Sequence, residues 1–178
     1  MTRLPRCLRL DASDTVVFPR AAEPGEWAIP GGFMFWDDTE ESLTGKRRQA
    51  FRAGFLGLAS FGWSTLVEVA EAGFADRRDA LDALAAYILA EHGAPSAEAA
   101  QVAAEEEIAF AESLCAEHAP GTALALERRL EDGDIRERFR TLHLRAQEHR
   151  SFNALPVFAI MQVDGEDAVS EQVDLTKL

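Results

Sequence analysis

Residues 122–144 read Thr122-Ala123-Leu124-Ala125-Leu126-Glu127-Arg128-Arg129-Leu130-Glu131-Asp132-Gly133-Asp134-Ile135-Arg136-Glu137-Arg138-Phe139-Arg140-Thr141-Leu142-His143-Leu144. The run divides at Asp132-Gly133, a dipeptide that tolerates the positive backbone angles of a tight hairpin turn. The stretch therefore predicts a β-hairpin with arms at 122–130 and 135–144. The second arm also fits a helix, because Ile135, Phe139 and Leu142 follow a 3.6-residue period. The strand is the favoured reading, and it makes the sheet antiparallel.

Upstream of the hairpin the chain is helical. Asp76 and Asp79 suit a first turn, and Leu81, Leu84, Ala85, Ile88 and His92 recur at helical spacing. Gly93 and Pro95 end that helix. Ser96 can cap the next, which runs to about His118 before Pro120-Gly121. The short link predicts an antiparallel helical hairpin. The first third reads as short strands over residues 4–10, 15–18 and 27–36, rich in β-branched and aromatic residues and separated by turn compositions. A helix capped by Asp38, with Glu41 in the capping-box position, is expected to run to Gly54. An apolar, glycine-punctuated loop follows, then a strand over 66–70. Residues 145–151 read as a loop and 155–163 as a last strand. The expected fold is α+β, an antiparallel sheet with a helical hairpin packed on one face. Residues 1–163 are expected to form one domain and 164–178 a polar tail.

The chain has 178 residues, enough for a core without disulfide or metal staples. Cys7 and Cys115 make no disulfide framework, and no apolar run reaches the length of a membrane span. A cytoplasmic location is the simplest expectation, with no membrane association. The net charge of −13 argues against nucleic acid, since phosphate contacts need a basic surface. The charge is uneven: no Lys or Arg occurs between Arg78 and Arg128, a stretch that holds ten carboxylates. Basic residues flank it, as Lys46, Arg47, Arg48 and Arg52, and again from Arg128 onward. Arg136, Arg138 and Arg140 would project from one face of a strand and pair with the acidic helices.

Few residues suggest chemistry. Cys115 and His118 lie one helical turn apart, without an orienting group or further zinc ligands. Glu107 falls on the arc shared by Ala100, Ala104, Ala111, Leu114 and His118, so a carboxylate is carried on a core-facing side and must be paired or shifted in pKa. Phe51, Phe55, Phe61 and Trp63 cluster with glycines that permit close approach, making a core, a groove or an interface. No cofactor or metal is expected, and no phosphate loop, dinucleotide fingerprint or nucleophile elbow occurs.

The segment from Pro30-Gly31-Gly32 to Gly54 resembles the opening of a Nudix hydrolase box. That family's glutamates hold magnesium, because hard cations need carboxylate oxygen. Here Gln49, Arg52 and Ala53 stand where the glutamates belong, so the resemblance implies no metal site. Residues 20–28, 43–51 and 104–110 resemble an uncharacterised family of short bacterial proteins, chiefly proteobacterial. That likeness implies a domain of unknown function and transfers no catalytic residue.

These readings converge on a binding or accessory protein without evident catalysis. It is expected to act through protein–protein contacts, with a separate protein or a second copy of the chain. The candidate binding residues are Glu107, Arg48, Arg52, Phe55 and Trp63. The rival is a small-molecule binder or enzyme with a pocket between helical hairpin and sheet around Glu107.

Overall fold

The computed structural model describes residues 1–144 and 161–164. Thirteen elements follow one another among them. Strand β1 (Thr2–Leu8) and the short helix α1 (Ser13–Val17) come first. They are followed by β2 (Ala28–Ile29), a 3₁₀ turn (Gly32–Phe35) and α2 (Gly45–Ala53). Strands β3 (Phe55–Gly57), β4 (Trp63–Ser64) and β5 (Leu66–Ala72) precede the two long helices α3 (Phe74–Glu91) and α4 (Ala97–Cys115). Strands β6 (Ala123–Glu131), β7 (Asp134–Leu144) and β8 (Met161–Asp164) complete the set.

The main sheet has the order β1-β5-β6-β7-β8, with every neighbour antiparallel. Strands β2, β3 and β4 form a second, small antiparallel sheet. The α+β reading therefore holds. The second arm of the 122–144 hairpin is a strand, paired from Ala123↔Leu142 to Glu131↔Asp134 around a turn where Asp132 and Gly133 both have positive φ.

The helical hairpin forms as its sequence requires. Asp76 accepts the Gly73 backbone N–H at 2.9 Å, and the Ser96 hydroxyl oxygen accepts that of Ala99 at 3.1 Å, so both long helices start on a side-chain acceptor. Arg77, near the start of α3, bonds Glu105 at the middle and Glu112 near the end of α4, so the helices run antiparallel. Their inner faces bury Leu84, Ile88, Ala104, Ile108 and Ala111 against Phe33, Phe35, Phe51 and Trp63.

Three local expectations fail. Over the expected strand 15–18, residues 15–17 belong to a helical turn, α1, and Phe18 follows it. Asp11 accepts the Ser13 N–H at 2.8 Å and starts the turn, while the buried Asp14 carboxylate turns inward to Thr65. The β-branched Val16 and Val17, which suggested a strand, are exposed. The strand over 27–36 shrinks to β2, because Gly31 takes φ +77° and turns the chain into the 3₁₀ segment. Helix α2 begins at Gly45 rather than Asp38. Gly45 has φ +55°, which a continuing helix excludes, and the Asp38 carboxylate is engaged by Ser42 and Arg47 instead. The expected strand over 155–163 overlaps β8 at its end. The expected loop at 145–151 and the tail beyond Asp164 lie outside the described residues.

Candidate functional site

Two features stand apart from the ordinary core: a buried arginine that gathers the Pro-Gly-Gly turn and the end of α2, and an aromatic groove beside α3.

Arg128 follows from the alternation of β6. Leu124, Leu126, Arg128 and Leu130 share one side of the strand, and across the register they meet Thr141, Phe139, Glu137 and Ile135 of β7. The Arg128 side chain is 0% exposed. Its Nη1 donates to the carbonyls of Ala50 (3.4 Å), Phe51 (3.1 Å) and Gly54 (2.8 Å), and its Nη2 donates to the Pro30 carbonyl. The Glu137 carboxylate stands 3.3 Å from Nε, and the guanidinium lies 5.5 Å above the Phe35 ring. A cation at the C-terminus of α2 meets the negative end of the helix dipole and satisfies the Phe51 and Gly54 carbonyls, which the helix leaves open. Burial pushes the Arg128 pKa down to about 10, with Glu137 opposing the shift, so the group stays charged at neutral pH. Gly32 leaves room for this pair: a Cβ would fall 2.8 Å from a Glu137 carboxylate oxygen and push that side chain aside.

Glu107 faces this pair from α4. Burial, reinforced by the Glu137 charge and offset by Arg128, raises its pKa to about 7. It is partly buried, and α4 is seated over β7 through the edge-to-face pair Phe110–Phe139 (5.8 Å).

The groove is built from Glu26. Its carboxylate accepts the backbone N–H groups of Glu23, Ala59 and Ser60 and the Ser60 hydroxyl, at 2.5–2.9 Å. Those bonds fold residues 58–62 into a tight loop closed by Gly57 N–H to the Gly62 carbonyl (2.8 Å). Gly62 fits because a Cβ there would meet Ala21 backbone atoms at 2.5 Å. Phe61 is forced to φ +53°, an uncommon conformation for an aromatic residue. Its ring is thrown flat onto Tyr87 of α3, 3.8 Å between centroids and 6° between planes. The groove between this loop and α3 has a volume of ≈530 Å³. Trp27, Leu58, Phe61 and Tyr87 give it apolar walls, Ala80, Ala83 and Ala86 give it a low floor, and Glu26 and Asp79 give it charge. The rings continue beyond it, from Tyr87 to His92 (5.4 Å), Phe33 (5.1 Å) and the exposed Trp36 (6.5 Å).

The residues singled out in the sequence are dispersed by the fold. Phe55 is fully buried with Cys7, Val67 and Leu124, and Trp63 packs on Phe35 at 5.1 Å in the other core cluster. Arg48 and Arg52 are exposed on α2. Of the five, Glu107 alone meets the buried Arg128–Glu137 pair. Arg136, Arg138 and Arg140 do not pair with the helices as anticipated. Glu127 engages Arg129 and Arg140, and Arg136 lies near Glu131 and Asp134, because odd and even positions of the hairpin face opposite ways. Arg128, the arginine of β6 turned toward α2 and α4, was legible as the polar member of a Leu-x-Leu-x-Arg-x-Leu alternation. Phe61 was legible as part of the aromatic cluster, but its stacking partner Tyr87 carried no signal, since α3 and the loop meet only in three dimensions. Cys115 is buried and burial pushes its thiol up to about 12, so it offers no thiolate to His118. Among the described residues no cluster of three His, Cys, Asp or Glu could hold a metal, and no helix is long and apolar enough to cross a membrane.

A family model matches residues 1–160. The chain belongs to DUF6505, a family of unknown function. No curated protein and no solved structure matches it. The resemblance noted in the sequence is thus to a family that covers most of the chain, and DUF6505 brings no activity with it.

Proposed function

We propose that this DUF6505 member is a binding or accessory protein that works through protein–protein contacts, made at the groove beside α3. One observation carries the reading. Phe61 is held in an unfavourable backbone conformation and stacked on Tyr87, so that a ring only partly buried against the core lines an open apolar groove. Aromatic side chains offer large contact area at low entropic cost, which is why they anchor interfaces.

The rival reading, a small molecule held between hairpin and sheet at Glu107, has one observation in its favour: the carboxyl titrates near neutrality. It is the weaker reading because Arg128, the cation such a pocket would use, is already occupied by four carbonyls and Glu137.

The test compares three purified baits in lysate of cells that naturally express the protein: wild type, Phe61→Ala/Tyr87→Ala and Arg48→Glu/Arg52→Glu. A partner bound by the first and third but lost by the second supports the groove. A partner retained equally by all three refutes it. Sedimentation of the wild type alone tests a second copy as the partner, which the same Phe61 and Tyr87 changes would then dissociate.

A further inference from the structure

We infer that the partner segment received by the groove is basic, with apolar side chains flanked by arginine or lysine. The inference rests on the groove being the binding surface and adds the chemistry of what it binds. Among the described residues, every charged side chain lining the groove is a carboxylate, Glu26 or Asp79. Burial works against ionisation of Glu26, yet the hydrogen bonds from Ser60, Glu23 and Ala59 outweigh it and hold the pKa below the usual carboxylate range. Asp79 makes no hydrogen bond or ion pair among the described residues, so its charge is available to a ligand. Glu91 lies near Tyr87 and adds to the same field. Arg20, close to the same ring, is the nearby cation, and its guanidinium donates to the Ser60 carbonyl at 3.0 Å.

The walls reinforce this preference. Trp27 and the faces that the Phe61–Tyr87 stack leaves uncovered carry the negative lobe of the aromatic quadrupole, which attracts guanidinium and ammonium groups and disfavours carboxylates. Asp79, Ala83 and Tyr87 are spaced i, i+4, i+8 along α3, so carboxylate, low floor and ring lie in line. An extended segment laid along that line would place an apolar side chain over Ala83, with a cation at either end. The net charge of −13 adds a long-range attraction of the same sign preference.

The chain's three tryptophans make the test site-specific, since Trp27 lines the groove while Trp63 is buried in the core and Trp36 is exposed outside it. The probes are three synthetic capped peptides, arginine-leucine-leucine-arginine, its glutamate-flanked counterpart and its serine-flanked counterpart. Indole N–H resonances of the full chain are followed during titration. The arginine peptide is expected to shift Trp27 and leave Trp63 in place, and to bind roughly tenfold more weakly at 0.5 M than at 0.05 M salt. Asp79→Asn is expected to weaken it about threefold or more. Phe61→Ala should abolish the shift, and Ala86→Arg, at an exposed position, should do the same by charge should Phe61→Ala fail to fold. Equal binding of the glutamate or serine peptide at Trp27 overturns the basic preference while leaving the groove as the contact surface. No Trp27 shift with the arginine peptide at millimolar concentration overturns the inference, and the bait comparison still decides the groove on its own.

Discussion

Replacing Arg128 by methionine removes the charge and keeps much of the volume. Four carbonyls lose a donor. Ala50 still accepts the Gly54 N–H at 2.9 Å, which leaves Pro30, Phe51 and Gly54 as the ones orphaned, all on buried residues. A buried polar group left unpaired costs about 1–3 kcal/mol, and stripping one partner from a buried ion pair costs about 3–5 kcal/mol. Local relaxation and water entry at the Glu137 side chain, which is 21% exposed, reduce the sum. A loss of about 4 kcal/mol is the expected value, against a total stability on the order of 5–15 kcal/mol. At this chain length that corresponds to a fall in melting temperature of roughly 8–16 °C. The assay is urea unfolding followed by tryptophan emission, to which Trp63, packed on Phe35, responds. The double variant Arg128→Met/Glu137→Gln should recover about 1–2 kcal/mol, because the stranded carboxylate is gone. A single variant within about 0.5 kcal/mol of wild type would refute the argument. So would a double variant equal to the sum of its parts, because the Arg128–Glu137 pairing would then contribute nothing.

Glu107→Gln carries a pH signature. A carboxyl whose folded pKa, about 7, lies above its unfolded value binds the proton more tightly in the native state, so its contribution to stability falls as pH rises from about 4.5 to 7. The glutamine variant should match wild type at pH 5 and exceed it at pH 8 by about 1–3 kcal/mol, as measured by denaturant midpoints; a constant difference would mean Glu107 is solvated. Gly62→Ala forces a Cβ against the Ala21 backbone and should cost about 1–3 kcal/mol while lifting Phe61 off Tyr87, which near-ultraviolet circular dichroism would register; an unchanged spectrum would show that the loop is not set by this contact. Arg48→Glu/Arg52→Glu touches two exposed side chains that form no ion pair among the described residues. It should change stability by no more than about 1 kcal/mol, mostly through Arg52 in the last turn of α2, and leave arginine-peptide binding intact.

The elements readable from the sequence are those whose signal is local. The Asp132-Gly133 turn, the Ser96 cap and the 3.6-residue spacing of Leu81, Leu84 and Ile88 each act within a few residues, and each formed as read. Where composition pointed one way and a tertiary contact the other, the contact won. Asp38 suits a helix cap, but Arg47 and Ser42 take its carboxylate. Val16 and Val17 favour a strand, but the Asp14–Thr65 bonds fix a helical turn around them. The aromatic cluster was visible as a group, but not its division. Phe55 and Trp63 are buried and Phe61 is left partly exposed, because that division depends on Glu26 pinning the loop from 33 or more residues away in sequence.

The distribution of charge also has a physical resolution. The ten-carboxylate stretch between Arg78 and Arg128 suggested that the flanking arginines would neutralise it on folding. Arg77 does so for Glu105 and Glu112, at the seam between the long helices. The hairpin arginines do not, because the two-residue period of β6 and β7 sends Arg129, Arg136 and Arg140 to the side away from Arg128, where Glu127, Glu131 and Asp134 meet them. Asp79, Glu91, Glu98, Glu106 and Glu117 are therefore left without an ion pair among the described residues. Unpaired like charges on two adjacent helices repel and lower stability slightly, and a basic ligand relieves that repulsion when it binds. The groove lies on α3, one of those two helices, so the electrostatic cost borne by the free protein becomes part of the driving force for a basic segment. Raising salt should therefore stabilise the free protein while weakening the complex, two opposite trends from one cause.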